Sequence, residues 1–186
     1  VMAIDRTFEG ALMKAIRSLE INVFGFAKQE QISLEDLTGR LQETDDQRIF
    51  WVAEALRRGM SPEQVSKITR IDKFFIHKIK NVTDLLLDIE NRAEEGENIS
   101  IEQLREAKGA GCSDYSLAEI SGVGEDDIRE LRKAAGITPV YKMVDTCAAE
   151  FDAVTPYYYS SYEEEDEATV NSGKKVIVLG SGPIRI

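Results

Sequence analysis

Acid–base or metal chemistry needs clustered His, Cys, Asp or Glu, and this chain offers few such clusters. Its one histidine, His77, lies in the run Phe74 to Ile79. A single imidazole excludes a multi-histidine metal site and leaves little for proton transfer. The run reads as a helix with His77 on its flank. Cys112 and Cys147 are far apart and make no CxxC or other ligand spacing, so both read as reduced, buried thiols of a cytosolic protein. The acidic run Glu163 to Glu167 reads as a solvated stretch, because consecutive carboxylates on an extended chain point to alternate sides. Tyr157, Tyr158, Tyr159 and Tyr162 could stack on a ligand, but such a cluster also pins an extended segment onto a neighbouring surface. Trp51, beside Phe50, reads as core. Gly180-Ser-Gly-Pro183 follows the β-branched run from Lys174 to Leu179. A glycine turn after a strand is a place where phosphate can be cradled. No helix follows to complete it, which leads us to expect that the polypeptide continues.

The elements that would position these residues are mostly helical. Phe8, Leu12, Ile16 and Leu19 recur at four- and three-residue steps and predict an amphipathic helix from Phe8 to Glu20. Ser33 predicts the cap of a second helix, with Leu34, Leu37 and Leu41 as its apolar stripe. Thr44 to Gln47 predicts a third start, with hydroxyl and amide capping each other's backbone donors. Ser61-Pro62-Glu63-Gln64 is the clearest cap in the chain, with proline at the first helical position. Ser100 to Gln103 repeats that logic. Between them the pattern predicts a longer helix over Phe74 to Ile89 and a polar connection over Arg92 to Asn98. From about residue 140 an extended, surface-crossing segment is expected, followed by one short terminal strand. The expected class is all-α, a multi-helix domain with two helix-turn-helix-like repeats.

Those repeats lie 52 positions apart, Ser61 to Lys80 against Ser113 to Arg132. Val65 matches Leu117, Ser66 Ala118, Ile68 Ile120, Ile71 Val123, Ile76 Ile128 and Ile79 Leu131; Gly59 matches Gly111. Each copy predicts a short helix, a tight turn and a second helix. The small residue (Ser66, Ala118) admits a close crossing, and Ile71 or Val123 plugs the corner. A nucleic-acid reader needs basic side chains on the second helix. The first copy has a basic excess, but the second opens its second helix with Glu125-Asp-Asp127, better explained as first-turn acids complementing the helix dipole.

Composition supports a folded domain with a real core: 186 residues, 42 % hydrophobic and 31 % charged. The net charge of −11 repels phosphate backbones and anionic lipid. Neither a signal peptide nor a membrane span is visible, which predicts a cytoplasmic protein with no nucleic-acid or membrane partner.

Several stretches resemble the middle of the carbamoyl phosphate synthetase large chain. They are Val1 to Glu9 (VMAIDRTFE), Asp72 to Phe75 (DKFF), Val140 to Phe151 (VYKMVDTCAAEF), Tyr159 to Glu165 (YSSYEEE) and Val176 to Ile186 (VIVLGSGPIRI). The Val140 to Phe151 string is the most specific. Asp5 and Ile184 depart from the family, which usually has glycine and asparagine there. The resemblance implies a helical oligomerisation domain between two ATP-dependent synthetase halves. It implies residues 1–19 as the tail of the first half, 20–171 as the helical domain and its linker, and 172–186 as the first strand and glycine loop of the second. Gly180, Gly182 and Arg185 match that loop and are site-adjacent at most; no catalytic or metal-binding residue carries over. The full large chain is implied to use ATP and Mg²⁺ (or Mn²⁺), with a small glutamine amidotransferase subunit as partner, to make carbamoyl phosphate from bicarbonate and glutamine-derived ammonia. For self-association, the leucine stripe Leu34, Leu37 and Leu41 is the expected face, since it lies outside the repeated core.

Overall fold

The computed structural model describes residues 1–26, 32–152, 157–169 and 172–178. Within them eight helices precede a two-stranded antiparallel sheet. Helix α1 is Phe8–Ser18, α2 Leu34–Gln42, α3 Arg48–Arg57, α4 Pro62–Thr69 and α5 Lys73–Glu94; α6 is Ile101–Gly109, α7 Asp114–Ser121 and α8 Glu125–Ala134. Strands β1 (Val140–Met143) and β2 (Tyr158–Ser161) follow.

Local chemistry sets most helix starts. The Ser33 hydroxyl accepts from the Asp36 N–H at 3.0 Å. Ser61 and Ser100 each form the full reciprocal box with Gln64 and Gln103, which satisfies donors the first turn leaves orphaned. The box expected at Thr44 does not form. Helix α3 starts at Arg48 without a side-chain cap, and Asp45 instead accepts from the Gln47 N–H at 3.1 Å. Helix α5 runs five residues beyond the expected end at Ile89 to Glu94, where Gly96 at φ 80° closes it.

The repeat is larger than its sequence signature. At the ends of α3 and α6 the same closure recurs 52 positions apart: Met60 N–H donates to Ala55 O at 3.0 Å, and Cys112 N–H to Ala107 O at 2.9 Å. Each follows a glycine in the left-handed region, Gly59 at φ 86° and Gly111 at φ 85°. Helices α4 and α7 likewise end on left-handed residues, Arg70 and Gly122. The repeating unit is therefore three helices, α3–α4–α5 and α6–α7–α8. Equivalent side chains are equally buried, Val65 with Leu117 and Ile76 with Ile128. Ser66 Oγ donates to Ile71 O at 2.7 Å and fastens the first corner.

Both units and α1 share one core, in which Met13, Val52, Val82 and Leu104 are inaccessible to solvent. Helix α1, expected as the tail of a preceding unit, thus contributes Met13 and Ile16 to the body. Beyond it, in the segment expected to be extended, β1 and β2 pair with Val140 opposite Ser161 and Met143 opposite Tyr158. The run expected as a terminal strand, Lys174 to Leu179, forms no strand over its described part, 174–178, where Val176, Ile177 and Val178 are exposed. A strand needs a neighbour to accept its hydrogen bonds.

The two equivalent glycines differ in one respect. A Cβ on Gly111 would lie 2.9 Å from Gly10 Cα, whereas one on Gly59 would meet nothing within 4 Å. Gly59→Ala is expected to cost about 1–2 kcal/mol from left-handed strain alone. Gly111→Ala must also displace α1 and should lose clearly more in urea denaturation; equal losses would contradict the packing of α1 there.

Candidate association surface and the docked hairpin

The expected leucine stripe is divided by the fold. Leu37 and Leu41 are wholly buried in the chain's own core, while Leu34 is 64 % exposed. Helix α2 lays its inner stripe against α3 and α4; Leu34, in the first turn, projects past that contact. Only Leu34 of the three is therefore open to another molecule. Gly180, Gly182 and Arg185 lie outside the described residues. His77 is exposed on α5, and Trp51 is half-buried, with the Arg40 guanidinium 5.7 Å from its ring centre.

A surface that the periodicity did not single out lies where α1 meets the start of α5. Phe8, Phe74 and Phe75 form an aromatic triad with ring centres 5.3–6.1 Å apart. Phe74 and Phe75 are 54 % and 43 % exposed. The Asp72 cap starts α5 just before them, and the buried stripe begins only at Ile76. Alongside, Glu9 accepts from Asn81 at 2.8 Å and Lys78 at 3.2 Å, and the Lys78 ammonium lies 5.7 Å from the Phe74 ring centre. An apolar patch rimmed by paired charges has the composition of an interaction surface.

A second constellation docks the hairpin. Asp114, at the start of α7, accepts from Lys108 Nζ and Arg132 Nε, each at 2.7 Å, so one carboxylate joins α6, α7 and α8. Lys108 also donates to Cys112 O at 2.8 Å and lies 5.0 Å from the ring centre of Tyr162, just beyond β2. Burial acts to raise the Asp114 pKa, but the hydrogen bonds from Lys108 and Arg132 outweigh it and hold the carboxyl below its ordinary value. Lys108 is itself lowered, because its burial outweighs the attraction of Asp114. Lys14 of α1 pairs with Asp5 at 2.6 Å, donates to Ser160 O, and lies 5.3 Å from the Tyr159 ring centre. Of the tyrosine cluster, Tyr159 and Tyr162 do the pinning, and Tyr157 and Tyr158 stay exposed.

The acidic run is organised rather than merely solvated. Glu163, Glu165 and Glu167 approach Lys142 Nζ at 3.9, 3.3 and 3.2 Å. Their two-residue spacing places all three on one side of an extended chain, a signal present in the sequence once Lys142 is known to lie opposite. Burial acts to lower the Lys142 pKa, but hydrogen bonds to Glu167 and Glu165 prevail and raise it.

Comparison with known proteins gives this arrangement a family. Residues 1–136 match the family described as the carbamoyl-phosphate synthetase large chain, oligomerisation domain. The chain belongs to that family. Over 188 residues it is 46 % identical to the carbamoyl phosphate synthase large chains of Thermoanaerobacter pseudethanolicus and Thermoanaerobacter sp. strain X514, covering 100 % of this chain. The chain spans 17 % of the length of either relative. The helix-turn-helix units of this oligomerisation domain show no feature that favours nucleic acid: Lys78 and Lys80 on α5 are paired with Glu9 and Asp84, and α8 opens on three acids. Among the described residues no group of three or more His, Cys, Asp or Glu could hold a metal ion. No described helix is long and apolar enough to cross a membrane.

Two measurements check the docking site. Burial pushes the Cys112 thiol up to about 11, whereas Cys147 is only half-buried. At neutral pH a thiol reagent is expected to label Cys147 alone in the folded oligomerisation domain and both cysteines after unfolding. Asp114→Asn should cost about 1.5–3 kcal/mol, the range for charged hydrogen bonds. Since the folded pKa of Asp114 lies below the unfolded value of about 3.9, its stabilisation is full above that pH. It is lost as pH falls through the lowered folded value. The stability difference between wild type and Asp114→Asn should therefore shrink on acidification below about pH 4, and a difference that grew instead would contradict the ion pairs.

Proposed function

We propose that this domain is a non-catalytic association and spacing module, holding large chains together while separating the two synthetase halves on either side of it. The observation that carries this reading is the triad of half-buried Phe8 with exposed Phe74 and Phe75, together with the family to which residues 1–136 belong. Leu34 extends the proposal to α2; Leu37 and Leu41 act indirectly, by holding that helix in place. The docked hairpin supports the spacing role, since it fixes where the chain leaves the helical body. In the full large chain, residues 1–19 would close the first half, 20–171 form the domain with its linker, and 172–186 open the second, with Gly180, Gly182 and Arg185 in its glycine loop. That enzyme would make carbamoyl phosphate in the cytoplasm from bicarbonate, ATP and glutamine-derived ammonia, with Mg²⁺ or Mn²⁺ and a small glutamine amidotransferase subunit.

Because Leu37 is buried, Leu37→Glu would test folding and not association. The informative variants are Leu34→Glu and the pair Phe74→Glu with Phe75→Glu. In light scattering, wild type should show a mass above 20.8 kDa, and the Phe74/Phe75 variant should shift towards it with its helical circular dichroism unchanged. An oligomer untouched by both substitutions would remove these faces from the proposal, and a wild type that is monomeric at every concentration would remove self-association through this domain.

A further inference from the structure

By the register of the hairpin, Tyr141 and Met143 share one face with Ser160 and Tyr158, opposite the face on which Lys142 and Ser161 are buried. The first face is open to solvent: Tyr141, Met143 and Tyr158, with Phe151 from the loop between the strands, are between 39 % and 76 % exposed. Large apolar side chains gathered in one place, unlike single ones, mark a surface that something covers. The loop that presents Phe151 is strained. Ala148 and Ala149 both lie in the left-handed region, at φ 51° and 59°. Asp145 holds them there, accepting from the Cys147 N–H at 2.9 Å and the Ala149 N–H at 2.6 Å. Strain of this kind clusters at functional sites.

A hollow of ≈ 770 Å³ opens between Met143 and Phe151, with Asp145, Glu150, Asp152 and Glu167 around it. Asp145 is engaged by its own loop, and Glu167 by Lys142 and the Met143 N–H. Glu150 and Asp152 are exposed, and no ion pair among the described residues engages either. Charge disfavours a second copy as the occupant. In a two-fold contact these two acids would meet their own equivalents, on a chain whose net charge is already −11. The rest of the large chain is closer at hand, since this chain spans 17 % of the length of its relatives. The Glu167 N–H is anchored to Tyr141 O, and nine residues later comes the exposed apolar run Val176, Ile177 and Val178. Nine residues reach at most about 32 Å, so whatever buries that run stands beside the hairpin.

We propose that Tyr141, Met143, Phe151 and Tyr158 dock against the second synthetase half of the same large chain, on an apolar surface that sets a lysine or arginine between Glu150 and Asp152. This rests on the placement of 172–186 in that half and not on self-association.

The test is hydroxyl-radical footprinting of the full large chain and of the 186-residue chain. In the full chain, labelling of Met143, Phe151 and Tyr158 should slow about fivefold or more, as for side chains moved into an interface core. Val176 to Val178 should be protected as well. Protection of that run without protection of the hairpin face overturns the docking and spares the placement of 172–186. A run still labelled refutes the placement and the docking with it. Protection of the hairpin face that fades on dilution assigns a second copy and overturns the proposal. In the full chain, Glu150→Lys with Asp152→Lys should restore most of the labelling, because like charges would then face each other; unchanged protection overturns the basic partner. Should the 186-residue chain fail to fold by circular dichroism, this variant against the wild-type full chain decides alone.

Discussion

The burial of α5 on several sides at once is the constraint on which the remaining helices depend. At 22 residues and about 1.5 Å per residue, it is long enough to serve both three-helix units. Its stripe of Ile76, Ile79, Val82, Leu86 and Ile89 is buried, and α1, α3, α4, α6 and α7 all pack against it. A single three-helix unit would leave much of that surface in water. Two units and α1 together cover it, which is why a repeated sequence produces one body instead of two beads. The Arg57–Glu90 ion pair fixes α3 along its length, and Gln103 donates to Asp88 at 2.5 Å to fix α6.

The two units keep the same turns and cores but put different groups around them. In the first unit the surface near α5 carries the aromatic triad. In the second, the equivalent region of α8 carries Glu125, Asp126 and Asp127. The second unit also gains Lys108 and Asp114 at its inner corner, where the first has Leu56 and Pro62 at the same offset. A position that is apolar packing in one copy thus becomes a charged anchor in the other. That divergence gives the hairpin a place to dock beside α6, α7 and α8.

Much of this was legible where the chemistry is local. The caps at Ser33, Ser61 and Ser100 depend on residues three apart, and the repeat revealed itself because the same side chains fill the same core. Periodicity placed Leu34, Leu37 and Leu41 on one stripe, but a stripe does not state which surface it meets, and α3 and α4 took it. The cap at Thr44 failed because Asp45 competes for the same backbone donor. Phe74 and Phe75 were hidden beside a core stripe of similar hydrophobicity. The convergence of Glu163, Glu165 and Glu167 on Lys142 follows from the pairing of β1 with β2, and the spacing of the acids alone does not name the cation that they meet.

The hairpin has one more property, which follows from its flanks. Asp166 accepts from the Tyr141 N–H at 3.2 Å, the Glu167 N–H donates to Tyr141 O at 2.9 Å, and Glu167 accepts from the Met143 N–H at 2.7 Å. Across the ladder, Lys14 occupies Ser160 O. On the β1 margin the N–H and C=O of Tyr141 and the N–H of Met143 are thus engaged by side chains and by the chain's own continuation, and on the β2 margin Ser160 O is engaged by Lys14. A sheet edge left open is a template for adding strands from other molecules. Along β1 that template is largely taken up by the chain's own continuation.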